Sequence, residues 1–189
     1  MKQRSLFLFA ALCMSSIIQA QGSDQWKFEI NSAGARSVSI DAPLSTPSGQ
    51  RKCSIVFTRG AGPRPTYSFD LRIADVSTIP EFHFNEFEGP DSNAKGNLLT
   101  LQTINTPRPF NFSFCPTGGY VDSPNDGFSI GGYQNLAHDP LIDLIKSASN
   151  GHGELVVLLR DFKNPKIVLQ TKVNLARSET QFHRFLSSK

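Results

Sequence analysis

Strict alternation of apolar and polar residues limits most tightly the folds open to this chain. Tyr67, Phe69, Leu71 and Ile73 are interleaved with Ser68, Asp70 and Arg72. Successive side chains of a β-strand point to opposite faces, so this segment reads as a strand with one buried and one solvated face. The same period of two recurs at Cys53, Ile55 and Phe57, at Leu99 and Leu101, at Phe110, Phe112 and Phe114, and at Leu155, Val157 and Leu159. Ile167, Leu169 and Val173 continue it beyond Asp161-Phe162-Lys163-Asn164-Pro165, so residues 154–174 are expected to form a β-hairpin with a loop longer than two residues. The expected fold is mainly β: an antiparallel sheet or β-sandwich with two short helices in the carboxy-terminal third.

Both helices are marked by their ends. Asp139 stands at a cap position, Pro140 at the first helical position and Asn150-Gly151 at the stop, with Leu141, Leu144, Ile145 and Ala148 on one face. A second helix is expected from Ser178, where Gln181 completes a capping box and Phe182, Phe185 and Leu186 share a face. Glycine and proline concentrate in residues 41–51, 59–66, 88–97, 104–109 and 116–132, none long or monotonous enough to separate domains. Gly118-Gly119-Tyr120 and Gly131-Gly132-Tyr133 read as two turns, each followed by a packed tyrosine.

The first twenty residues read as a secretory signal peptide: charged Lys2 and Arg4, an apolar run from Leu6 to Leu12, and a small Ala20 before Gln21. Residues 21–189 then form a single exported β-rich domain, periplasmic or secreted. Removing the leader takes two of the 19 basic residues and none of the 16 acidic ones, leaving 17 against 16. A nearly neutral exported domain has no electrostatic reason to seek nucleic acid. Cys13 lies in the leader, so Cys53 and Cys115 remain to pair in an oxidising compartment, closing a 63-residue loop. Such a bridge contributes about 4 kcal/mol on the chain-entropy model.

No zinc-protease histidine pair or phosphate-binding loop occurs in the chain. His83 lies in Glu81-Phe82-His83-Phe84-Asn85-Glu86-Phe87, where strand geometry would put Glu81 and His83 on one face and the phenylalanines on the other. A carboxylate beside an imidazole is the chemistry of a proton relay or a metal ligand pair, but a zinc site needs three or four ligands. The step from Phe84 to Phe87 calls for a bulge or turn at Asn85. His138 and His152 occupy cap and loop positions, which gives a small secreted hydrolase as the rival to a binding function. Arg51, Lys52, Arg59 and Arg64 flank the first mature cysteine and read either as a solvated edge or as a surface for an anionic partner. An exposed subset of Phe82, Phe84 and Phe87 would add a patch for a partner.

From residue 110 onward the order of features resembles the invasion-associated locus B family of exported bacterial proteins. The resemblance is carried by Phe110-Asn111-Phe112-Ser113-Phe114-Cys115, the turn through Gly118-Gly119-Tyr120, the helix from Asp139 to Asn150, the hairpin of residues 154–174 and the helix after Ser178. These cover about 80 of 189 residues. Gly119 and Tyr120 stand where that family carries a further cysteine, so no functional residue is transferred. What the resemblance implies is a β-rich, non-enzymatic envelope protein linked to host-cell interaction. Together these features predict a binding module for an envelope or host protein or glycan, with no cofactor, no nucleic-acid partner and no transmembrane segment in the mature chain.

Overall fold

The alternating segments pair edge to edge into one curled antiparallel sheet in a computed structural model that describes residues 25–88, 98–114, 117–134 and 140–187. The predicted signal peptide lies outside the described residues. The strands are β1 (Lys27–Ile30), β2 (Arg36–Thr46), β3 (Gly49–Arg59), β4 (Tyr67–Ala74), β5 (Leu99–Ile104), β6 (Phe110–Phe114), β7 (Thr117–Asp122), β8 (Gly127–Gln134), β9 (Glu154–Arg160) and β10 (Val168–Asn174). Their order is β6-β5-β9-β10-β2-β3-β4-β8-β7, with β1 paired to the first half of β2. The expected hairpin is β9–β10, in register from Glu154 opposite Asn174 to Arg160 opposite Val168.

Inside the curl lie the apolar halves of these strands: Val38, Ile40 and Leu44, Ile55 and Phe57, Phe69, Leu71 and Ile73, Leu99 and Leu101, Leu155, Val157 and Leu159. Two helices, α1 (Pro140–Ala148) and α2 (Glu179–Leu186), put Leu141, Leu144, Ile145, Phe182 and Phe185 into the same cluster. Trp26 is 3% exposed, its ring 5.0 Å from Phe182 and 6.5 Å from Phe57. Burying side chains of this size contributes about 1.5–3 kcal/mol each, so the buried faces supply the main drive to fold.

α2 starts where the sequence places it, but by another device. Ser178 is fully buried and its hydroxyl donates to the Ala148 carbonyl at 3.3 Å, tying α2 to the end of α1; it makes no side-chain cap bond. Asp139, the expected cap of α1, lies outside the described residues. The two Gly-Gly-Tyr segments lie on β7 and β8 rather than in turns. Gly131 is needed for close approach, because a Cβ there would collide with the Phe69 carbonyl, and Tyr120 is 59% exposed rather than packed. No helix among the described residues is long and apolar enough to cross a membrane.

Candidate functional site

Residues 75–88, which follow β4, pack across the sheet interior at one end of the curl. This strap contains two 3-10 turns, Val76–Thr78 and Phe84–Phe87, and no strand, so the predicted shared face of Glu81 and His83 does not exist. Ile79, Phe82, Phe84 and Phe87 all turn inward. Phe82 stacks on Phe87 at 5.7 Å, and Phe84 and Phe87 meet Phe128 at 4.9 and 5.9 Å. The three phenylalanines are therefore core plugs and not an exposed partner patch, because a 3-10 turn brings Phe84 and Phe87 to the same side. The break in the period at Asn85 is this turn.

Polar groups on the strap staple it to three separate parts of the sheet. Arg51 donates to the Thr78 hydroxyl at 2.5 Å and to the Thr78 carbonyl at 3.0 Å, while the Ser48 N–H donates to Glu81 at 2.9 Å. Asp126 accepts from the Ser77 N–H at 2.8 Å and its hydroxyl at 2.6 Å. The Val121 N–H on the β7 edge donates to Glu88 at 2.8 Å. Such side-chain acceptors remove free donors from a sheet edge.

A fourth staple contains the pair most like a functional site. Asp161 follows β9, and its side chain is 0% exposed. Its carboxylate accepts from the His83 N–H at 2.6 Å and the Asn164 N–H at 2.7 Å, and faces His83 Nδ1 at 3.1 Å. Lys163 and Glu86 pair beside it at 2.7 Å. The His83 side chain is 41% exposed and lines an open cleft of about 520 Å³ with Ser77, Glu86, Ser123, Asp126 and Lys163. A buried carboxylate on Nδ1 fixes the ring orientation and leaves Nε2 for a ligand or proton. Sequence reasoning missed Asp161 because 78 residues separate it from His83; its hairpin-loop position was the only signal.

A larger groove, about 940 Å³, runs over the solvent face of β2, β3, β4 and the start of β8. Four cations line it, Lys27, Arg51, Lys52 and Arg72, against two carboxylates, Asp41 and Asp75. Lys27 pairs with Asp41 at 2.9 Å, and Ser54 donates to Asp41 at 2.6 Å. The Ser54 hydrogen bond, with Lys27 beside it, holds the Asp41 carboxyl below its usual range. Arg51 is held by the strap, whereas exposed Lys52 and Arg72 make no ion pair among the described residues. Burial pushes the neighbouring Asp70 carboxyl up, with the Arg72 charge opposing it.

The predicted basic cluster is thus divided. Arg51 and Lys52 reach the groove, but Arg59 lies at the far end of β3, seven residues and roughly 23 Å of strand beyond Lys52, and Arg64 follows it. Arg59 donates to the Tyr67 hydroxyl at 3.3 Å, and Arg64 is exposed in the loop beyond. Nor is β3 an edge, since β2 and β4 flank it. Cys53, predicted to form a disulfide, is a free buried thiol facing the interior. Cys115 lies outside the described residues. Burial pushes the Cys53 thiol up to about 11, partly countered by the Thr171 hydroxyl. That contact is loose: Thr171 Oγ1 has no partner of hydrogen-bond geometry. His138 lies outside the described residues, and His152 is exposed between Gly151 and Gly153, remote in sequence from the strap.

Comparison of the chain with protein-family models, with curated proteins and with solved structures returns no match.

Proposed function

We propose that this protein is an exported, non-enzymatic envelope module that binds a protein or glycan partner through the outer face of β2–β4. The observation that carries this reading is the open groove in which Lys52 and Arg72 stand exposed and, among the described residues, without an ion pair. Isolated surface cations gain little from each other, and their charge is available to a partner. The arrangement resembling the invasion-associated locus B family supports the envelope location and a link to host-cell interaction. The test is crosslinking capture from native envelope extract with residues 21–189, beside a Lys52→Glu/Arg72→Glu variant of unchanged fold. A stoichiometric partner lost by the variant is the expected result; equal capture by both removes the groove from the proposal.

The His83–Asp161 pair favours a second reading, a small exported hydrolase. Imidazole fixed by a buried carboxylate is the orienting half of a general base, and Ser77 and Ser123 line the same cleft. The Ser77 hydroxyl donates to Asp126 at 2.6 Å, which commits it elsewhere. Hydrolysis of ester or glycoside probes by the wild type that disappears in a folded His83→Ala variant would replace the binding reading with this one.

A further inference from the structure

The groove belongs to a longer row of side chains. Register places Asp41 opposite Ser54, Ser54 opposite Arg72, Arg72 opposite Ser129 and Ser129 opposite Tyr120. Residues directly opposite share a face, so these five side chains cross β2, β3, β4, β8 and β7 on the outer surface. Four strand spacings make the row roughly 19 Å long. Lys27 is anchored at one end through Asp41, Lys52 stands beside the row at the next outward position of β3, and the exposed ring of Tyr120 ends it. Ala74 and Gly127, paired across β4 and β8, also line the groove and fill little of it.

We propose that this row binds a linear acidic polysaccharide carrying a carboxylate on repeated sugars; the inference rests on the binding reading above and names its ligand class. Charge complementarity selects an anion, because Lys52 and Arg72 lack ion pairs among the described residues while Lys27 neutralises Asp41. Asp75 in the groove and Asp70, two residues before Arg72 on β4, are the opposing charges. A peptide strand gains nothing special here, since β2, β3, β4 and β8 already spend their main-chain groups on neighbours. A sugar chain needs side-chain donors and a flat apolar ring instead, and Tyr120 offers such a ring with a polar edge. Lys52 and Arg72 are diagonal neighbours on adjacent strands, roughly 7–8 Å apart along the backbone, a spacing that suits carboxylates repeated along a chain.

The test uses residues 21–189 in a binding titration against oligogalacturonate, a neutral dextran oligomer of similar length, a sialyl oligosaccharide and polyglutamate. Oligogalacturonate is expected to bind, at least tenfold more weakly to Lys52→Ala/Arg72→Ala and several-fold more weakly to Tyr120→Ala, with binding lost as salt rises. Surface substitutions of this kind leave the core untouched, and circular dichroism verifies the fold. Binding of oligogalacturonate that ignores both variants, no binding at all, or tighter binding of dextran, the sialyl sugar or polyglutamate overturns the proposal. If extract capture still depends on Lys52 and Arg72 in that event, the binding module stands and only the acidic-glycan ligand falls.

Discussion

Replacing Asp161 by alanine isolates what holds the strap to the sheet. The wild-type carboxylate, fully buried, accepts two backbone N–H groups at 2.6 and 2.7 Å and faces His83 Nδ1 at 3.1 Å. Leaving a buried donor without its acceptor costs about 1–3 kcal/mol, and that cost falls on the half-buried His83 N–H, whereas Asn164 is exposed and its N–H can turn to water. With a smaller part from Asn164, the expected loss is about 2–3 kcal/mol. For a domain of this size that lowers Tm by about 5–10 °C. His83→Ala removes only a ring that is 41% exposed and keeps both backbone bonds, so it costs less than about 1 kcal/mol. Asp161→Asn keeps an acceptor and falls between the two. Urea unfolding of the three single variants and the His83→Ala/Asp161→Ala double variant measures the order and the coupling. Equal losses for His83→Ala and Asp161→Ala would refute the assignment of the staple to backbone donors and move its weight to the imidazole pair.

Cys53, pushed up to about 11 by burial, exists as thiolate in only about one molecule in a thousand at pH 8. Iodoacetamide should therefore label it slowly in the folded protein and quickly in urea; rapid native labelling would contradict the buried position. Asp70 is raised by burial, so the folded state holds its proton more tightly than the unfolded chain does and stability falls as pH rises from the usual carboxylate range through the raised value. Asp70→Asn should then have a higher Tm than wild type at pH 7, with the gap closing near pH 3; a constant gap would deny the titration. Gly131→Ala should lose more than about 2 kcal/mol in thermal or urea unfolding, since its Cβ meets the Phe69 carbonyl, which the β4–β8 ladder holds in place.

Alternation of side chains was enough to predict the faces of the sheet, because burial on one side of a strand forces period two whatever the neighbouring strand is. Phe69, Leu71 and Ile73 are buried as that pattern requires, and the stripes of α1 and α2 face the core for the same local reason. Neighbour order is another matter: β9 and β10 are adjacent in sequence and in the sheet, but β8 joins β4 across more than fifty residues. Local pattern carries no term for such pairings.

The functional surfaces depend on those long-range pairings. Sequence alone singled out Lys52 and His83 as polar residues worth attention and grouped Arg51 with Arg59, and it offered Phe82, Phe84 and Phe87 as a patch. Only the tertiary structure set Arg72 beside Ser54, aimed His83 at Asp161 and carried Tyr120 to the end of the row. It also buried the phenylalanines, because a strap that packs across the interior of a curled sheet needs apolar plugs and no periodic strand announces one. Composition and period fix which side of each segment avoids water; which solvent-facing groups meet is decided by strand order and register, which the whole core selects at once.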